Sequence, residues 1–410
     1  MSAAITLRDI LAPETTESFI DGYYGRRFFP IARVSGRFSG LLPWAAVNSL
    51  LNHCAREHVR VFKNGRLVPP DSYTSKHPFI GSRRTPRPRI VAAELTSLLR
   101  DGATLSINGI QELYGPVARL AQNLSHELHA GISVNMYASW RSSPGFDIHF
   151  DDHDVFILQI SGTKNWSVYG ETETFPLRPF SPGLQPPTCP PLWEGALDDG
   201  SVLYIPRGWW HAVSPRDEPT IHLTVGVYNV TGIDFLHWLA ERLARDEGMR
   251  MDIPVCGTIA SRAEHFRQIV NTFTAYCGEP GLIEEYCAYI DSLSTPPPWF
   301  GLPSSATLDK LPTSRDYVIT LTVPLDCDLS NAKVSDEVRV SVNRRSFTYP
   351  EPIARVLQYL KDSGAVTFQG LARRFASKIE ESDLRLFLSD CVEHGLVTCT
   401  SNEQADVRRQ

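Results

Sequence analysis

Residues 145–170 read GFDIHFDDHDVFILQISGTKNWSVYG, and this stretch holds the residue types with the clearest chemical potential. His149 and Asp151 stand two apart, so on an extended strand both side chains point to the same side. An imidazole and a carboxylate aimed into one cavity can share a divalent metal ion. A third ligand is available in IPRGWWHAV, where His211 follows another strand-like run, 62 residues beyond His149. Two histidines and one carboxylate on one face leave positions open on non-haem iron(II), room for a chelating co-substrate and for dioxygen. Lys164 lies just past the strand that follows Asp151. A cation there can fix the far carboxylate of 2-oxoglutarate, whose keto-acid end chelates iron. Taken singly, His149 reads as a hydrogen-bonded core histidine and Asp151 as a turn cap. The combination of pair, second histidine and lysine favours the metal reading. His153 shares the expected strand face and is a rival ligand, whereas Asp152 alternates away. His126 and His129, on a helical stretch, read as surface or packing residues.

The elements that would position these groups are strands. GISVNMYA (131–138), DVFILQIS (154–161), SVLYIP (201–206) and TIHLTVGVY (220–228) are rich in β-branched and aromatic residues and bounded by Gly, Pro and Ser. A run of short strands with turns between them predicts a β-barrel or sandwich. Residues 170–200, with QPPTCPP at 185–191, read as irregular connection. Residues 1–60 read as helical with turns. They hold Leu7, Ile10 and Leu11 at helical spacing, then a helix opening at Pro43 with Trp44, Val47, Leu50 and Leu51. From Asp234, read as an N-cap, the apolar period becomes helical through Phe235, Trp238, Leu239 and Leu243, and it continues to about residue 295. Pro296-Pro297-Pro298 marks a joint. Residues 349–400 then predict three helices, near 352–362, 368–377 and 382–395, followed by a strand-like tail. This is the pattern of a winged helix.

Composition narrows the partners. The 410 residues are 42% apolar and 21% charged with net charge -6, an ordinary globular balance that argues against global disorder and against nucleic acid as main partner. Residues 349–400 carry six Lys/Arg against seven Asp/Glu, so a DNA-reading role for the winged helix is not expected. The basic loop at 77–90, with Arg83, Arg84, Arg87 and Arg89, reads as a solvated rim. The eight cysteines form no C-x-x-C pair, which fits reduced thiols in a cytoplasmic protein. The N-terminus has no secretory pattern, and no apolar run is long enough to span a bilayer.

GFDIHFDDHDVFILQISGTKNWSVY followed by SVLYIPRGWWHAV resembles the JmjC family of Fe(II)/2-oxoglutarate oxygenases, and within it the ribosomal-oxygenase group. The likeness covers residues 133–229 in detail. It implies a double-stranded β-helix (jelly-roll cupin barrel) with N-terminal helices at 1–230, a helical dimerisation region and linker at 231–345, and a winged-helix domain at 346–410. It implies Fe(II) on His149, Asp151 and His211, and 2-oxoglutarate anchored by Lys164 with O2 as second co-substrate. Asn135 and Tyr137, in VNMY, match a pair lining the site in that group. Thr224 is a further candidate for co-substrate contact, and Arg141, Trp209 and Trp210 for substrate contact. The implied activity is hydroxylation of a side chain, Arg or His of a ribosomal protein or a specialised peptide, by a homodimer. A lysine demethylase and a non-catalytic binding module are the alternatives, and the H-x-D form of the motif favours hydroxylation. Gly226 departs from the pattern, since relatives offer a hydroxyl there.

Overall fold

The computed structural model describes residues 5–53, 56–76, 88–141, 147–177, 183–293, 311, 316–322, 337–342 and 345–400. Most of the arginine-rich loop (77–87) and the triple-proline joint lie outside the described residues. The chain divides into two compact units, Met1–Tyr228 and Asn229–Gln410.

In the first unit the strands are β1 (Phe29–Ile31), β2 (Val59–Lys63), β3 (Arg66–Leu67), β4 (Thr74–Lys76), β5 (Pro88–Ile90), β6 (Thr104–Ile107), β7 (Gly131–Ser139), β8 (Asp154–Ser161), β9 (Lys164–Glu171), β10 (Trp193–Leu197), β11 (Val202–Ile205), β12 (Trp209–Pro215) and β13 (Thr220–Tyr228). The helices are α1 (Leu7–Leu11), α2 (Thr16–Gly22), α3 (Trp44–His53), α4 (Ala92–Arg100), α5 (Ile110–Leu113) and α6 (Gly115–Leu128). A major sheet has the order β1-β11-β8-β13-β7-β6-β2-β3, and a minor sheet the order β10-β9-β12. All the pairings are antiparallel.

Alternation along the strands explains both layers. On β8, Phe156 and Leu158 join the large core formed with α1, α2 and α6, while Val155 and Ile157 join Trp166, Val168, Leu197, Leu203 and Ile205 between the two sheets. Strand β8 is apolar on both faces, so it reads as a continuous run and not as an alternating one. On β7 and β13, Val134, Met136, Ala138, Ile221, Leu223, Val225 and Val227 face the helices. That leaves Asn135, Tyr137, Ser139, His222, Thr224 and Gly226 on the barrel side. Each fully buried aliphatic side chain contributes about 1.5–3 kcal/mol, whereas buried polar groups cost free energy unless paired. The apolar layers therefore hold the barrel closed and carry the cost of its polar interior.

The sequence reading missed several strands. β2 begins at the end of the stretch read as helical with turns, and β6 lies in a stretch given no element. β10 lies in the stretch read as irregular, where WEGAL has no apolar alternation and takes its form from pairing with β9.

The second unit holds α7 (Gly232–Leu243), α8 (Glu247–Arg250), α9 (Ile259–Cys277) and α10 (Leu282–Leu293). It continues with β14 (Val318–Leu321), β15 (Glu337–Val342), β16 (Arg345–Pro350), α11 (Glu351–Ser363), β17 (Ala365–Thr367), α12 (Phe368–Phe375), α13 (Glu381–Glu393) and β18 (Val397–Thr400). The α7 cap differs from expectation. Thr231 is the N-cap and Asp234 the third helical residue, the two forming a reciprocal capping box. Strand β14 sits between β17 and β18, so a segment well before residue 346 completes the sheet beside α11–α13.

Candidate metal centre

His149 and Asp151 lie before β8, and they are not brought together by alternation along one extended strand. The main chain of His149 forms a two-way bridge with His211 on β12: His149 N donates to His211 O at 3.1 Å and His211 N to His149 O at 2.8 Å. His149 is thus bridged to the edge strand of the minor sheet, and residues 151–153 lead on to the major sheet, where β8 begins. Asp151 sits at this crossing. Gly208 N donates to Asp151 O at 2.8 Å, pinning the crossing to the turn before β12. Gly208 needs to be glycine: its φ is +83°, and a Cβ there would lie 2.5 Å from Pro176 Cδ. A β-bulge between Trp210 and His211 sets the register of β12 against β9, pairing His211 with Val168. Asp154 braces the same turn, accepting from Tyr204 Oη at 2.6 Å and from Arg207 N at 2.9 Å.

The three side chains converge. One ligand atom from each of His149, Asp151 and His211 lies within 4.8 Å of the others. His211 Nε2 is 3.6 Å from Asp151 Oδ2, and the two imidazole centroids are 4.5 Å apart. Each ring is oriented by its own main chain: His149 Nδ1 faces Asp147 O at 2.9 Å, and His211 Nδ1 faces Trp209 O at 3.0 Å. Donation of Nδ1–H to a carbonyl leaves Nε2 with its lone pair, the form a metal ligand requires. Burial, with the neighbouring His149, pushes His211 down to about 4, which keeps its imidazole neutral. Two nitrogens and one carboxylate oxygen fit an octahedral divalent ion such as iron(II).

Lys164 opens β9, only 2% exposed. The turn before it contains Gly162 at φ +68°, where a Cβ would come within 2.5 Å of Pro219 O. A small cavity beside Lys164 is lined by Thr104, Tyr137, Ser139, Val213 and His222. Burial brings the lysine down to about 7. Lys164 Nζ is 2.8 Å from Nδ1 of His222, a residue the sequence reading did not single out. Burial and the lysine charge hold His222 well below the usual imidazole range, so it accepts from the lysine.

Of the other expected residues, Asn135, Tyr137 and Thr224 are on the barrel side. Tyr137 is pushed up to about 12 by burial and by Asp151, and its hydroxyl bonds Ser106 and Asn135. Asn135 Oδ1 accepts from Gly109 N at 3.1 Å. The structure does not bring Arg141 into this group. It lies beyond Ser139, exposed, with Nε directed at Arg100 O. Trp210 is buried, edge-on to Phe150, and donates through Nε1 to Thr172 Oγ1 at 2.8 Å. Trp209 packs beside Phe28. Both therefore have packing partners of their own.

His153 leaves the strand face on which it was a rival ligand. The bend at 152–153 turns its ring onto Tyr228, at 4.5 Å, with Nδ1 3.1 Å from Asp152 Oδ1. This accounts for Gly226. A Cβ at 226 would lie 2.6 Å from His153 Cδ2, so the imidazole fills the space where a larger residue would carry its hydroxyl.

The JmjC domain family model matches residues 111–235, the stretch that holds β7 to β13 and the His149, Asp151 and His211 cluster. The chain is similar to ribosomal oxygenases and, over that stretch, to JmjC domains. Over 227 residues (54% of this chain, 31% of the relative) it is 27% identical to the "Bifunctional lysine-specific demethylase and histidyl-hydroxylase NO66" of Drosophila persimilis. Over 267 residues (62% and 42%) it is 29% identical to "Ribosomal oxygenase 1" of Gallus gallus. The match thus spans less than half the length of either relative. Among solved structures, Escherichia coli YcfD aligns over 94% of this chain and 98% of its own, with TM-score 0.56 and 16% identity. YcfD in complex with cobalt and 2-oxoglutarate aligns over 95% of this chain and 99% of its own, with TM-score 0.53 and 16% identity. At that identity the likeness speaks for the fold.

Proposed function

We propose that this chain is an iron(II)- and 2-oxoglutarate-dependent dioxygenase that hydroxylates an amino-acid side chain of a protein or peptide. The observation that carries this reading is one barrel interior holding both a three-ligand cluster and a buried lysine in a cavity of its own. His149, Asp151 and His211 would hold the metal, and Lys164 the far carboxylate of 2-oxoglutarate. Iron and co-substrate together supply the dioxygen-activating chemistry when bound. The chain supplies the rest. Asn135, Tyr137 and Thr224 line the co-substrate side, Trp166 packs against both His211 and His222, and the half-exposed side of the cluster at His149 and Asp151 admits the substrate. Holding the reacting C–H at a fixed place is the main demand on such a site.

The names of the relatives carry both hydroxylation and lysine demethylation, so the test must separate them. Iron-loaded protein is incubated with 2-oxoglutarate and a ribosomal protein extract, and succinate, formaldehyde and peptide masses are followed. Hydroxylation predicts succinate together with peptides that gain one oxygen. Formaldehyde without an oxygenated peptide would support demethylation. A non-catalytic module predicts no succinate and no stabilisation by Mn(II) with 2-oxoglutarate.

Within 231–345 the helices α7 to α10 are read as a dimerisation region, and 346–410 as a winged helix whose sheet and hairpin take in β14 and β15 from the linker stretch. Helix α9 supports dimerisation: Ile259, Phe266, Val270 and Phe273 are exposed along it. The near-neutral balance of 349–400 supports a protein-contact role for the winged helix over DNA binding. Cys189, Cys256, Cys277 and Cys287 are free and exposed, which supports a reducing compartment such as the cytoplasm. Among the described residues, no helix is long and apolar enough to cross a membrane.

A further inference from the structure

His222 is 3% exposed on the barrel side of β13 and, among the described residues, belongs to no metal-ligating group. Its ring is held on two sides. Tyr137 stacks on it at 5.1 Å with 20° between planes, and Trp166 meets it edge-on at 5.4 Å. Its Nδ1 lies 2.8 Å from Lys164 Nζ. A lysine stem has four rotatable carbons and three ammonium donors, so its position is poorly fixed by the stem alone. An acceptor that cannot turn takes one N–H and leaves two for the cavity that Lys164 lines with Thr104, Tyr137 and Ser139. A neutral acceptor suits this task. A carboxylate in its place would neutralise the cation and compete with any anionic ligand.

We infer that His222 is a positioning residue, whose imidazole fixes the Lys164 ammonium for the distal carboxylate of a chelating keto-diacid. The inference rests on the reading of 2-oxoglutarate as co-substrate, and it makes His222 a determinant of co-substrate affinity and not of metal binding.

Two substitutions separate positioning from packing. His222→Phe keeps a ring between Tyr137 and Trp166 and removes the acceptor. His222→Asn removes the ring and keeps an acceptor oxygen close to the Nδ1 position. Full-length protein loaded with Mn(II) is titrated calorimetrically with 2-oxoglutarate and with 2-oxopentanoate, which has the same chelating end and no distal carboxylate. Wild-type protein binds 2-oxoglutarate the more tightly. The Phe variant loses about tenfold in 2-oxoglutarate affinity, the scale of one charged hydrogen bond. Its Mn(II) and 2-oxopentanoate affinities stay within about twofold, because neither uses the lysine. The Asn variant stays near wild type. Unchanged 2-oxoglutarate binding by the Phe variant would overturn the inference, and so would an Asn variant weaker than the Phe variant. If the Phe variant does not fold, His222→Leu takes its place with the same expectations. If wild-type protein itself shows no preference between the two acids, the co-substrate reading fails, an outcome distinct from failure of the His222 role alone.

Discussion

Proton uptake should accompany 2-oxoglutarate binding, because Lys164 is brought down to about 7 in the ligand-free barrel. The cause is burial, which penalises the ammonium. A carboxylate bound beside it removes that penalty and returns the lysine toward its ordinary value near 10.4. The direction follows from linkage: the cationic form is the one that binds, and it is lost as pH rises through about 7. With these two values, affinity relative to the fully protonated protein falls about twofold at pH 7, about 11-fold at pH 8 and about 100-fold at pH 9. At pH 8 binding takes up about 0.9 proton. His222 and His211 lie lower and stay neutral across this window. The assay is calorimetric titration of Mn(II)-loaded protein at pH 8 in two buffers of different ionisation enthalpy, repeated from pH 7 to 9. Lys164→Arg, whose guanidinium stays charged, should remove the slope. A flat affinity from pH 7 to 9 with no buffer dependence would refute the argument that burial governs this lysine.

Other consequences follow from the same geometry. Asp151→Asn keeps the shape but removes the anionic ligand, and calorimetry should show Mn(II) affinity falling at least tenfold, the scale on which metal-site changes are felt. Tyr204→Phe deletes the hydroxyl that bonds both Asp154 and Gly25 N, and should cost about 1–3 kcal/mol in thermal unfolding of the barrel unit. Gly226→Ser forces His153 off Tyr228, so it should alter substrate KM while 2-oxoglutarate affinity holds, with about 1–3 kcal/mol of strain. Phe266→Asp on α9 should shift the light-scattering mass from twice 45.9 kDa to a single chain.

The convergence of His149, Asp151 and His211 was legible in the sequence because H-x-D and a later histidine carry their chemistry in residue type and spacing. Their geometry was legible only in part. Alternation predicted a shared strand, whereas His149 and Asp151 share a face through a bridge to β12 and a crossing between sheets. Non-local pairing of that kind leaves no local pattern. His222 was missed because TIHLTVGVY reads as an apolar strand, and a lone histidine there looks like core. The signal available was its place on the same alternating face as Thr224 and Gly226. Gly226 read as a missing hydroxyl until the structure put His153 in its space. The strands β2, β6 and β10 were hidden for a related reason: short segments take their form from the partner they pair with. Helices with their own apolar stripe, such as α11 and α13, were legible to within a few residues.

The most direct test of the hydroxylase reading is oxygen-18 labelling. Iron-loaded protein, 2-oxoglutarate and a ribosomal protein extract are incubated under ¹⁸O₂, and both succinate and peptides are weighed. One labelled oxygen in succinate and one on a peptide side chain, both absent in His149→Ala, is the predicted result. Unlabelled products, or label that persists in His149→Ala, would contradict it.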